Sequence, residues 1–186
     1  MAQPGRPDRQ SRPDLLTSDT QIYATLAARV CGEPILPYEL APIAGDFIAK
    51  LGELQEAAKG ALDLSLAIDR ARALERVASD LDAVRARIAD SGDPPQADCE
   101  TLNAGLLRLT RILNPVLYTE AGEFDHDPAI QLPMLPGLRR VRNLPDCGVG
   151  TKERLFLDTA LKRQRNRVDY ALLRATEEAR ALLGQV

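Results

Sequence analysis

The residues of this chain whose types and spacing could do chemistry are Asp125, His126 and Asp127, which include its only histidine. A histidine between two carboxylates could bind a metal ion or contact an acidic ligand. In the alternative interpretation, Phe124 anchors the segment in the core, His126 bonds to a backbone carbonyl, and Asp127 forms an Asx-type turn before Pro128. Adjacent residues point in different directions and rarely chelate one ion, so we favour the second interpretation.

Other catalytic patterns are missing from the sequence. A zinc hydrolase needs several His, Asp or Glu ligands and a carboxylate base, and the chain has one histidine and no H-E-x-x-H motif. It also has no G-x-S-x-G elbow and no glycine-rich phosphate loop. Cys31, Cys99 and Cys147 form no C-x-x-C pair, so we expect free cysteines. We therefore predict a chain that is not an enzyme and holds no metal or cofactor.

The charge of the chain gives little attraction to polyanions. Its formal net charge is -3, with 24 Lys and Arg against 27 Asp and Glu. Two basic clusters, at residues 139–142 and 162–167, lack the stacking aromatic residues of a nucleic-acid site, so we expect solvated faces or salt-bridge donors. No apolar run is long enough to cross a membrane, and no apolar stretch follows the first charges. Neither nucleic acid nor a membrane is an expected partner.

The composition favours helices over sheets. Hydrophobic residues make up 45% of the 186 residues, which is enough for a core, but aromatic residues make up only 4%. A core of Leu, Ile, Val and Ala is typical of helix-on-helix packing. We predict an all-α fold, namely a four-helix bundle with a preceding short helix and a long loop between the last two helices.

Helix start and stop signals divide the chain. Residues 1–16 are rich in Pro and Arg and are predicted to be a disordered arm, whereas residues 17–186 form the helical domain. The first helix is predicted to begin near Ser18 or Asp19, and Pro34 and Pro37 bracket an extended link after it. The predicted helices cover residues 18–30, 39–59, 63–88, 102–113 and 151–184.

The long loop follows a predicted break at Asn114–Pro115, because proline cannot continue a helix. Loops of this length inside a compact domain are usually binding or interface elements. The third helix has an apolar stripe that advances by threes and fours, which suits antiparallel packing in a bundle. A coiled-coil dimer gives the same periodicity, so both arrangements stay open.

Several short motifs occur along the chain in a definite order. They are Leu-Pro-Tyr at 36–38, LNAGLLRLTR at 102–111, Tyr118 followed by FDHDP at 124–128, LPGL at 135–138, and KRQ at 162–164. In this order they resemble the C-terminal helical domain of the transferrin receptor and glutamate carboxypeptidase II family. The resemblance covers residues 20–184.

The resemblance implies a transferrin receptor-like dimerisation domain, a four-helix bundle that follows a zinc peptidase domain and pairs two protomers. The two-zinc ligand set of the family would lie ahead of Ser18, where this chain has only the Pro/Arg arm. The loop also lacks the Lys-Tyr pair that reaches the substrate pocket in glutamate carboxypeptidase II. We therefore expect a non-catalytic module that forms a homodimer or associates with a zinc peptidase domain, as a fragment or split part of a peptidase like glutamate carboxypeptidase II.

The loop and its C-terminal end supply the candidate interface or anchor residues, which are Tyr118, Phe124, His126, Leu135 and Leu138.

Two alternatives for function stay open: a metallopeptidase-related enzyme that uses residues 125–127 and binds metal, and a helical adaptor with a different partner. The compartment also stays open, because such relatives mostly work outside the cytosol and the sequence shows no export signal.

Overall fold

The chain is helical throughout most of the part that the structure describes. The structure is a computed structural model that describes residues 13–122, 125–127 and 129–186, and no strand occurs in these ranges. The prediction of an all-α fold is confirmed. The elements are α1 (Pro13–Gly32), α2 (Leu40–Ala57), α3 (Ser65–Ala89), α4 (Gln96–Leu117), a 3₁₀ helix (Pro136–Asn143) and α5 (Lys152–Leu183).

Helices α2 to α5 run alternately up and down. The start of α2 lies against the second half of α3, where the Asp82 carboxylate accepts hydrogen bonds of 2.9–3.0 Å from the N–H groups of Leu40 and Ala41. The link before α2 is bonded to the first half of α4. Gly105 in that half lies against Leu182 near the end of α5. These contacts place the start of α2 and of α4 at the same end of the bundle as the end of α3 and of α5.

One continuous apolar core fills the bundle. It consists mainly of Leu and Ala side chains, and Phe47 on α2 is fully buried among them. Ala67, Ala71 and Ala78 line the buried side of α3, which packs against both α2 and α5. Small side chains at these positions allow the helix axes to approach closely. The core is therefore built by helix packing with little aromatic content, as the composition predicts.

The segment after α4 contains a 3₁₀ helix that we did not predict. Leu138 and Val141 on this helix are buried, and the helix packs on α5, α2 and α4. Their spacing of three residues matches the three-residue turn of a 3₁₀ helix. Gly137 approaches α5 so closely that an added Cβ would lie 2.5 Å from the Gln164 Oε1. Part of the predicted loop is thus a packed element of the bundle.

Helix α4 differs from its prediction because it extends on both sides of residues 102–113. It does not break at Asn114–Pro115 but continues to Leu117. Pro115 lies in the last turn, so it removes only one backbone hydrogen bond. Val116 and Leu117 are buried, and their burial favours continuing the helix past the proline.

Helix α1 begins at Pro13 and not near Ser18. Proline is favoured in the first helical turn, and Leu15 and Leu16 continue the helix into residues that composition alone marks as unordered. Residues 13–16 of the predicted arm are therefore helical. Residues 1–12 of that arm lie outside the described residues.

Helix α5 has the bounds that its capping residues predict. The Thr151 hydroxyl accepts a hydrogen bond of 3.2 Å from the N–H of Arg154, and Gly184 follows the last helical residue.

At the start of α3, the Asp63 carboxylate accepts from the N–H of Ser65 at 2.9 Å. None of the described helices is long and apolar enough to cross a membrane.

Candidate interaction surface

Helix α1 exposes several large apolar side chains along its length. It packs against none of the other described elements. Ile22, Tyr23 and Leu26 are 65%, 71% and 56% exposed, and Leu15 lies on the same side at 54%. Successive helical residues are rotated by about 100°, so these side chains form one face. We call the side formed by Leu15, Leu16, Ile22, Tyr23, Leu26 and Val30 the α1 face.

The opposite side of α1 carries polar and small side chains, among them Gln21, Thr25 and Ala28, which are all exposed. The helix is therefore amphipathic although no described residue covers its apolar side. Burial of a Leu, Ile or similar side chain stabilises by about 1.5–3 kcal/mol. The α1 face is therefore a candidate interaction surface.

The loop after α4 is held at its start by two side chains that bond to backbone atoms. The Arg167 guanidinium on α5 donates to the carbonyl oxygens of Pro115, Glu120 and Ala121 at 3.3–3.5 Å. The Asp127 Oδ1 accepts from the N–H groups of Glu120 and Ala121 at 2.9–3.0 Å. Asp127 thus closes the loop across seven residues, which differs from the local Asx-type turn that we predicted.

The loop ends on a strained residue that is firmly packed. Leu135 is buried and has a φ of 54°, in the left-handed region that costs energy for a branched side chain. Its N–H donates to the Leu117 carbonyl at 3.0 Å, which joins the two ends of the loop. Leu138 is buried in the same way. These two candidate residues are placed in the core, where they anchor the loop.

The other candidate residues of the loop are not brought together into one site. Tyr118 is 64% exposed and His126 is exposed, so both are accessible to a partner. Phe124 lies outside the described residues. Among residues 13–122, 125–127 and 129–186, no three His, Cys, Asp or Glu side chains lie close enough to hold a metal ion.

Asp169 on α5 is the one charged side chain that is buried in the described core. It is 6% exposed, and its Oδ1 has no hydrogen-bond partner among the described residues. Burial raises the pKa of Asp169 above its usual value, Asp63 adds to the rise, and Arg70 and Arg165 oppose it. The folded chain therefore takes up a proton at Asp169 more readily than the unfolded chain does.

We expect Asp169→Asn to increase the free energy of unfolding at neutral pH, because the variant buries no charge there. Because folding raises its pKa, Asp169 lowers the free energy of unfolding of the wild type as pH rises through the folded pKa. The difference in free energy of unfolding between variant and wild type should therefore shrink as pH falls toward 4. Urea unfolding of both proteins from pH 4 to 8 measures it. The comparison also cancels the contribution of Glu53, whose lowered pKa acts in the opposite direction. A difference that is constant with pH would contradict the prediction.

The link before α2 and the loop after α4 are held by side chains whose contacts we had not predicted. Asp82 on α3 binds the first N–H groups of α2, and Asn103 on α4 binds backbone atoms of the link between α1 and α2. Arg167 belongs to a cluster that we predicted to be a solvated face or a set of salt-bridge donors, but it donates to loop carbonyl oxygens. Arg139, in the other basic cluster, is a salt-bridge donor as predicted, since it pairs with Glu120 at 2.9 Å. The spacing of these polar residues in the sequence does not indicate which backbone atoms they bind.

Three comparisons with known proteins add no relative to this description. No protein-family model, no curated protein and no solved structure matches the chain.

Proposed function

We propose that this chain is a non-catalytic helical interaction module that binds another folded domain through the α1 face. The partner is a zinc peptidase domain of the type found in the glutamate carboxypeptidase II family, and a homodimer is the competing assembly. The observation that carries the proposal is the amphipathic helix α1, whose large apolar side chains are exposed and packed against none of the described elements.

The position of α1 supports a peptidase domain as the partner. In the family that the sequence resembles, the peptidase domain precedes the helical domain, so it would meet the first helix of this chain. Asp19 lies within the α1 face and is exposed. A matching partner surface is therefore apolar and carries a basic side chain opposite Asp19, because an unpaired buried carboxylate would weaken the complex.

We expect Leu26→Glu to weaken partner binding at least about tenfold, since burial of a leucine is worth about 1.5–3 kcal/mol and 1.4 kcal/mol corresponds to tenfold. The measurement is calorimetric titration of the full chain with a glutamate carboxypeptidase II-type peptidase domain that lacks its own helical domain. Sedimentation velocity of the chain alone, over a wide concentration range, tests the homodimer.

Ala24→Glu is the matched control, because it adds the same charge on the opposite side of α1. Neither substitution should change the melting temperature of the bundle, since α1 packs on none of the other described elements. Self-association that Leu26→Glu alone abolishes would establish the homodimer in place of the peptidase complex. A chain that stays monomeric and binds no peptidase domain, or equal losses in the two variants, would contradict the interaction module.

A further inference from the structure

The link between α1 and α2, residues 33–39, is bound tightly to the bundle although it forms no regular helix. Asn103 on α4 contacts it with both ends of its side-chain amide. The Asn103 Oδ1 accepts from the Leu36 N–H at 2.8 Å, and its Nδ2 donates to the Pro34 carbonyl at 2.9 Å. A two-point contact of this kind fixes both the position and the direction of the backbone between the bonded residues.

Packing removes the remaining freedom of the link. Ile35, between the two bonded residues, is 3% exposed and belongs to the bundle core. Pro34 and Pro37 hold their own φ angles near -65° and disfavour helix in the residues before them. At the far end, Asp82 on α3 binds the first two N–H groups of α2. The link is therefore fixed along its length by two helices and two prolines.

The C-terminal end of α1 lies immediately next to this fixed segment. The Glu33 N–H still donates to the Arg29 carbonyl at 3.1 Å, so helical hydrogen bonding reaches the residue before Pro34. Only the ψ angle of Glu33, which Pro34 restricts, separates the hydrogen-bonded end of α1 from the link that Asn103 holds. The backbone therefore has little freedom to change the direction of the C-terminal end of α1 unless the Asn103 contact opens.

We propose that the Asn103 clamp holds α1 at one orientation to the bundle, so that a partner bound on the α1 face is positioned rigidly and not tethered. The inference rests on the proposed function for the existence of the partner, but the clamp itself is a property of this chain alone. Asn103 is a positioning residue in this arrangement. It acts through the link and does not contact the α1 face.

The orientation of α1 can be measured by the distance between two spin labels. The labels are attached to cysteines introduced at exposed positions, Gln21→Cys on α1 and Glu177→Cys on α5. Position 21 lies about 16 Å from the end of α1, at 1.5 Å per residue, so a change in helix direction moves the label strongly. Labelled protein is diluted with unlabelled protein to remove distances between molecules. The native cysteines are replaced in this background by Cys31→Ser, Cys99→Ala and Cys147→Ser.

We expect a single narrow distance distribution in the wild-type background and a distribution about twofold wider in Asn103→Ala, because releasing even one residue restores its φ/ψ freedom. Asn114→Ala is the matched control: it lies on the same helix, is exposed, and makes the same change. It should leave the width unchanged. The melting temperature of the bundle should be similar in the two variants, since water can replace the amide at the half-buried surface of Asn103.

A broad distribution in the wild-type background, or equal widths in Asn103→Ala and Asn114→Ala, would overturn the clamp. Neither result would affect the proposed interaction module, which is tested by partner binding. Conversely, a narrow distribution that Asn103→Ala broadens would stand even if no partner bound the α1 face. The two proposals are thus tested by separate measurements.

Discussion

Phe47→Ala is expected to lower the free energy of unfolding by about 3–5 kcal/mol, the range for removing a large buried aromatic side chain. Phe47 is fully buried in the core on α2. Its surroundings are Leu and Ala side chains on helices that are held by many other contacts, so they cannot collapse fully into the space. Urea unfolding followed by circular dichroism measures the change.

Phe156→Ala is the control for this prediction, because the same substitution is made on α5 at a side chain that is 76% exposed. It should change stability by no more than about 0.5 kcal/mol. Since typical domains are stable by only about 5–15 kcal/mol, Phe47→Ala could prevent folding altogether. Phe47→Leu, with an expected loss of about 1–1.5 kcal/mol, then provides the measurement. Similar losses at positions 47 and 156 would show that Phe47 is not in the core.

The free energy of unfolding of Gly105→Ala is expected to fall short of that of Gly52→Ala by about 1–3 kcal/mol. This difference is the cost of overpacking a core. At Gly105 on α4, an added Cβ would lie 2.6 Å from the Leu182 Cδ1 and 2.9 Å from its Cγ. Leu182 is fully buried, so it has no room to move away. The close approach of α4 to α5 therefore requires a glycine.

Gly52 on α2 provides the reference, because an added Cβ there meets no atom within 4 Å. Gly52→Ala should stabilise by about 0.5–1 kcal/mol through higher helix propensity. The same gain is available at Gly105, so the difference between the variants isolates the contact with Leu182. Thermal unfolding of both variants gives this difference. Equal stability would mean that α4 and α5 are farther apart than described.

The helices with strong local signals could be predicted from the sequence. For α5, a capping threonine and a terminal glycine fix the bounds through bonds within a few residues. For α4 the local signal was misleading, because Asn114–Pro115 predicts a stop. The burial of Val116 and Leu117, which depends on neighbours distant in sequence, outweighs one lost hydrogen bond.

The α1 face could be predicted in part. The spacing of Ile22, Leu26 and Val30 identifies the apolar face of the first helix, but whether that face packs inward depends on the rest of the fold. The long loop was predicted as the interface, yet Leu135 and Leu138 are buried. The clamp on the link was not predictable, since Asn103 and its bonded residues are separated by 67 and 69 positions.

The sequence alone determined the all-α class, the apolar stripes and the caps of the last helix, because these follow from periodicity and from bonds between residues close in the chain. The tertiary structure alone decided that α1 packs on no other described helix, that Asp82 and Asn103 hold the link, and that Asp169 is buried without a partner for its Oδ1 among the described residues. Such features depend on which helices meet, and local patterns carry no information about the partner of a polar side chain.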